Sequence, residues 1–246
     1  LAEAPVNAKT ASLSGKHVVV IGGTSGIGRA IAQQATVAGA RVSVGSRNQK
    51  RVSETVALLG SPAQGRTVDV NDGESVRAFF EAAGVIDHLV LPGNEVKIAP
   101  FGKLPIADAQ ASMMSKFWGQ YTAIKAAHMS PTGSIVLFSG VASRKPGAGA
   151  PALTAINAAV EGLGRALAVE LAPVRVNVMA PGIVETELWD GLSEATREAT
   201  LQQFTARQPV SRPGQPEEIA AVVLTMMTSG FMTGAVIDVD GGALLV

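Results

Sequence analysis

Cysteine is absent from the 246-residue chain, which excludes disulfides, zinc-thiolate sites and a thiol nucleophile. Aromatic residues are scarce at 4%, and Tyr121 is the only tyrosine. An excess of charge is lacking too: 20 basic and 20 acidic residues cancel. With no basic block, neither nucleic acid nor an anionic membrane surface is expected as a main partner. No apolar run reaches the roughly 18 residues that span a bilayer, and the polar lead from Leu1 lacks the charged and apolar regions of a secretory leader. A cytoplasmic protein is the expectation. His17, His88 and His128 have no metal-ligand spacing, so no metal is expected.

What is present is apolar residues at 47%, with 27 glycines and 13 prolines, enough for a buried core and too much turn material for a helical bundle. Short β-branched runs at 17–21, 41–45, 66–69, 87–91, 134–138, 174–179 and 236–239 alternate with segments of helical spacing. Between the first two, Ile27, Ile31, Ala35 and Ala38 form the stripe of a helix packed on a sheet. The alternation predicts one doubly wound, Rossmann-type α/β domain over residues 13–246, with a mostly parallel sheet of about seven strands and an irregular lead at 1–12. Loops at 91–105, 143–151 and 181–194 each follow a strand's carboxyl end, and are expected to point at one crevice.

Gly22-Gly23-Thr24-Ser25-Gly26-Ile27-Gly28 follows the first strand and opens the first helix. Glycines there let the backbone turn and approach a pyrophosphate, which the free amides at a helix N-terminus favour. The second strand ends in Gly45-Ser46-Arg47-Asn48, with no acidic residue to receive a ribose 2′-hydroxyl. An arginine grips a 2′-phosphate through charged hydrogen bonds, so NADP(H) is expected over NAD(H), the alternative being that Arg47 solvates its loop. Asp69-Val70 either contacts the adenine or caps the helix beginning near Asp72.

These motifs resemble those of the short-chain dehydrogenase/reductase family, over nearly all the chain from about Leu13. The glycine segment is similar to that family's Thr-Gly-x-x-x-Gly-Ile-Gly, with Ile21 in the threonine place. Pro181-Gly182-Ile183-Val184-Glu185-Thr186 resembles its nicotinamide-carboxamide segment. Residues 212–218, Thr233-Gly234 and Val239-Asp240-Gly241-Gly242 resemble its C-terminal signature. The resemblance implies that Pro92 and Gly93, in Leu91-Pro92-Gly93-Asn94, stand where the family has an Asn-Asn-Ala-Gly motif, and that the chain forms a homo-oligomer, a tetramer, through helices near 108–128 and 153–171.

The family uses a tyrosine as proton donor or acceptor, a lysine four residues on, a serine, and an asparagine that positions a relay water. The Ala-Ala-Val-Glu-Gly-Leu stretch puts Leu153 at the tyrosine position and Asn157 at the lysine position, and the usual spacing puts Gly140 at the serine position. Gly119 aligns Lys116 with the asparagine. All four groups are therefore expected to be replaced, leaving Lys116 and Ser139 as candidate catalytic groups. Lys116 either supplies charge or a titrating amine in the crevice, or pairs with a carboxylate such as Glu185. Tyr121 is expected in a core or subunit interface, Arg144 and Lys145 on a solvated loop, and residues from Glu185 through Trp189 to Phe204 in a lid over an unidentified small molecule. Two functions stay open: an atypical oxidoreductase acting on a carbonyl or alcohol, and a nucleotide-binding sensor or partner without turnover.

Overall fold

Val18, Val19, Val20 and Ile21 are β-branched in unbroken succession, so a strand built from them must be covered on both faces. The computed structural model describes residues 12–93 and 95–246, and places this strand, β1 (His17–Ile21), inside a seven-stranded sheet. The others are β2 (Arg41–Ser46), β3 (Gln64–Thr67), β4 (Val85–Leu91), β5 (His128–Phe138), β6 (Arg175–Pro181) and β7 (Val236–Val239). Their order is β3-β2-β1-β4-β5-β6-β7, and all pairings between them are parallel. The expected doubly wound α/β fold is thus present. Asn94 and residues 1–11 of the expected lead lie outside the described residues.

The helices are α1 (Gly26–Val37), α2 (Gln49–Leu59), α3 (Gly73–Ala83), α4 (Ile106–Met113), α5 (Gly119–Ala126), α6 (Pro151–Glu170), α7 (Glu194–Thr205) and α8 (Pro216–Thr228). Alternate strand residues feed two cores: Val18 and Val20 pack with Ile31 of α1 and Ile219 and Val223 of α8, whereas Val19 and Ile21 pack with Phe79 of α3, Ile124 of α5 and Val160 of α6. The family-like segment 212–218 starts α8. Arg212 holds Glu218 through two charged hydrogen bonds of 2.8 and 2.7 Å, and Glu218 accepts from the Gln215 amide at 2.8 Å.

Several strand boundaries differ from expectation, and two of the early starts have local reasons. β3 begins two residues early because Gln64-Gly65-Arg66-Thr67 is a polar edge strand with no apolar run to betray it. β5 begins six residues early: His128 and Met129 already pair with Val85 and Ile86, but the register shifts around Pro131 and Gly133 before Ser134 joins His88. Helix α6 also corrects the expectation about long apolar runs. An 18-residue window of this 20-residue helix has a mean hydropathy of 1.2, long and apolar enough to cross a membrane. Ile156, Val160 and Gly164 are instead buried on its sheet-facing side.

A polar belt closes the sheet at the strand starts. His17 bonds Ser43 Oγ at 2.8 Å, Asp87 accepts from the His17 amide at 2.9 Å, and His88 Nδ1 lies 2.8 Å from Ser134 Oγ. Burial disfavours the imidazolium and pushes His88 down to about 4. At the opposite end, the sideways progression of the parallel strands reverses between β1, which leads to β2, and β4, which leads to β5. Loops leaving these two neighbours diverge, and a crevice opens between them.

Candidate functional site

Backbone close approach builds the crevice. Gly22 has φ +88°, and a Cβ there would sit 2.3 Å from Gly93 Cα; a Cβ on Gly28 would sit 2.0 Å from the Gly22 carbonyl oxygen. Only glycine lets the loops after β1 and β4 touch while the first turn of α1 folds beneath them. A cleft of about 540 Å³ follows, lined by Gly22, Thr24, Ser25, Gly26 and Ile27 on one side and by Pro92 and Gly93 on the other.

At one end of the cleft stand Ser46, Arg47, Asp69 and Val70, all on its wall. Arg47 pairs with Glu95 at 2.8 Å, but both side chains are about 60% exposed, so the pair holds the guanidinium only weakly. Asn48 is not on the wall: its side chain caps α2 by accepting from the Arg51 amide at 3.0 Å. Asp69 lines the cleft and folds its own turn by accepting from the Asn71 amide at 3.0 Å, whereas Asp72 is the residue that caps α3.

The segment after β6 forms the other rim. Thr186, Glu187, Leu188 and Asp190 line the cleft; Pro181, Gly182 and Ile183 do not. Gly182 is needed for packing, since a Cβ there would meet Asp240 Cα at 2.8 Å. Arg197 of α7 ties this rim down through Glu185 and, at 3.8 Å, Asp190. Hydrogen bonds from Gln215 and Arg197 hold the Glu185 carboxyl below its usual range. Trp189 and Phe204 approach with ring centroids 6.5 Å apart, but neither lines the cleft.

Lys116, Ser139, Gly140 and Asn157 gather where β5 ends against α6, and neither they nor Leu153 line the cleft. Lys116 lies in a π-helical turn, Met114–Trp118, and its Nζ donates to the Ser139 carbonyl at 3.0 Å. It does not pair with Glu185, and burial without a counter-charge lowers its pKa to about 8. Ser139 Oγ donates to Glu161 at 2.9 Å, and Glu161 also receives Ser143 Oγ and lies 3.5 Å from Arg144. Asn157 is buried: its Nδ2 donates to the Gly140 carbonyl at 3.3 Å, and its Oδ1 has no partner among the described residues. Leu153 occupies the first turn of α6, half-buried, one turn before Asn157.

Three expectations change here. The 143–151 loop does not reach the cleft. Arg144 pairs with Asp238, and Lys145 donates to the Ala243 and Val246 carbonyls, so both cations anchor the loop to the chain's C-terminal end instead of solvating it. Tyr121 is not in the core: it is 38% exposed and meets Trp118 edge-on at 5.5 Å, so of the two expected places only a subunit interface is left.

Residues on the cleft that sequence reasoning missed include Arg51, Asn71, Glu95, Ser115 and Glu187. Glu187 directly follows Thr186 and was within reach of the motif; Glu95 and Ser115 carry no local signal, and meet only because the Ser115 hydroxyl accepts from the Glu95 amide at 2.8 Å.

Residues 21–243 match a family model described as enoyl-(acyl carrier protein) reductase. Short-chain dehydrogenase/reductase ucsE of Acremonium sp is 32% identical over 260 residues, covering 95% of this chain and 97% of the relative. A small-chain dehydrogenase solved in complex with NADPH superposes with a TM-score of 0.82 at 34% identity, over 94% of this chain and 99% of that one. MalC Reductase/Diels-Alderase from Malbranchea aurantiaca superposes with a TM-score of 0.88 at 30% identity, over 95% and 98%.

Proposed function

The chain belongs to the short-chain dehydrogenase/reductase family of oxidoreductases, and from that premise we propose that it binds NADP(H) in preference to NAD(H) and acts on a carbonyl or alcohol substrate with no tyrosine in its proton-handling group. The observation that carries the reading is the cleft itself. It has glycines that let the loops after β1 and β4 meet, the N-terminus of α1 on its wall, and at the end of β2 an Arg47 whose one ion pair, to Glu95, is solvent-exposed. These features fit a dinucleotide. Gly22 to Ile27 would face its diphosphate, Arg47 and Ser46 a 2′-phosphate, and Thr186 the nicotinamide end, where the bound cofactor supplies or accepts the hydride.

Within this proposal Lys116 and Ser139 are the groups that manage charge and protons. With a pKa of about 8, Lys116 Nζ holds or yields a proton near neutral pH. Its hydrogen bond to the Ser139 carbonyl also fixes the end of β5. Ser139 Oγ hands its hydrogen bond to buried Glu161. Neither side chain lines the cleft, and that favours a second reading, cofactor binding without turnover.

Titration calorimetry tests the cofactor assignment. Arg47→Ala should weaken NADPH by about tenfold, the worth of one charge-assisted contact, and leave NADH unchanged. Tighter NADH binding by the wild type, or an alanine variant that loses nothing, would overturn it.

The proposal includes a homo-oligomer, a tetramer. Met114, Trp118 and Tyr121 form an exposed row on the π-turn and α5, and Ala155, Gly162 and Ala166 leave one side of α6 small and exposed. Light scattering at micromolar concentration should report a multiple of the 25.1 kDa chain mass, four for the tetramer; a monomer refutes the assembly.

A further inference from the structure

Helix α1 differs from its neighbours in how its N-terminus is satisfied. Asn48 caps α2 and Asp72 caps α3 from the adjoining sequence. The N-cap of α1, Ser25, makes no side-chain capping bond, and the first turn contains no acidic residue. Its leading amide is filled from across the cleft instead: Gly26 N donates to Glu187 Oε2 at 2.6 Å, and Glu187 Oε1 pairs with Arg29 at 2.6 Å. Gly26 makes room for this contact, since a Cβ there would press Thr186 Cγ2 at 3.0 Å and Glu187 Oε2 at 3.3 Å.

Glu187 stands on the same wall as Thr24, Ser25 and Gly26 and begins the short 3₁₀ turn Glu187–Trp189. A negative carboxylate is therefore parked where the helix dipole and the glycine loop favour an anion. We propose that Glu187 is an internal anion that latches the rim onto the glycine loop and must release the Gly26 amide before a dinucleotide diphosphate can use this helix end, so that it sets cofactor affinity. The proposal rests on reading the cleft as the NADP(H) site.

Apparent affinity falls in proportion to the population of the binding-competent state. A carboxylate at a helix N-terminus with a half-exposed arginine partner lowers that population about tenfold. E187Q keeps a side-chain oxygen able to accept from Gly26 N but removes the charge; E187A removes both. The release also has a structural readout, because Trp189, whose Nε1 donates to the Val184 carbonyl at 3.0 Å, shares the turn with Glu187.

NADPH titrations by calorimetry on wild type, E187Q and E187A, with Trp189 emission followed in a Trp118→Phe background, test the latch. Both variants should bind about tenfold more tightly, and ligand-free E187A should emit like the NADPH-saturated Trp118→Phe protein. Unchanged or weaker NADPH binding by variants that keep the wild-type melting temperature would overturn the latch while leaving the cofactor reading intact. No NADPH binding by any of the three would overturn the cofactor reading, and the latch with it.

Discussion

Lys116→Met is expected to stabilise the protein by about 2 kcal/mol at pH 7, raising its melting temperature by roughly 4–8 °C. The reasoning starts from the pKa of about 8 in the fold, against an ordinary value of 10.5. Between those values the unfolded chain binds more protons than the folded one. Folding therefore gains nothing from this group's burial above pH 10.5, loses stability as pH falls through the window, and bears the whole cost below pH 8, about 3 kcal/mol. Methionine keeps the volume and removes the charge, but the Ser139 carbonyl loses its donor, which returns about 1 kcal/mol. Denaturant unfolding at pH 7 and pH 10 checks this: the gain should shrink at the higher pH. A variant less stable than wild type at pH 7 would show that the ammonium is held by an anion. A lysine that costs stability in a buried place is what a functional group looks like when stability has been traded for use.

The second large effect is on activity. General acid-base groups contribute roughly a hundred- to ten-thousandfold, so a chain with Leu153 and Asn157 on the leading turns of α6 should reduce simple ketones slowly at best. The combined variant Gly140→Ser, Leu153→Tyr, Asn157→Lys should raise NADPH-dependent reduction by a factor in that range. The structure accommodates the change at 140: the nearest atom to a new Cβ is Asn157 Nδ2 at 3.0 Å, the end of a side chain that the variant itself replaces. Positions 153 and 157 are one helical turn apart on one face, as a cooperating pair must be. Rates are read with wild type and Lys116→Ala beside the variant. Robust wild-type turnover that vanishes in Lys116→Ala, with NADPH binding retained, would assign the proton chemistry to Lys116. Robust turnover that survives Lys116→Ala would overturn the assignment of Lys116, and turnover equal in wild type and the combined variant would overturn the assigned positions.

Much of the cleft lining was legible because its signals are local. A glycine cluster after a β-branched run, and Ser46-Arg47 after the next, each act within a few residues of a strand end, where the parallel α/β topology guarantees a ligand-facing position. Asn48 shows the limit: it stands beside Arg47, yet a cap bond to the Arg51 amide turns it to α2. Pro181, Gly182 and Ile183 fit the motif but do not line the cleft, Gly182 being packed against Asp240.

Strand period, helix stripe and turn chemistry are properties of neighbouring residues, so the sequence by itself determined the doubly wound sheet, the glycine cradle and the positions of Lys116, Ser139 and Asn157 along their elements. Only the tertiary structure decided what those side chains meet. Lys116 turns to a carbonyl 23 residues away, Arg144 to an aspartate 94 residues away, and Glu187 to an amide 161 residues away. Pairings at such separations carry no local pattern. They arise when two packed cores bring distant segments together, and burial then forces each charged or polar group onto whatever partner the packing has left within reach.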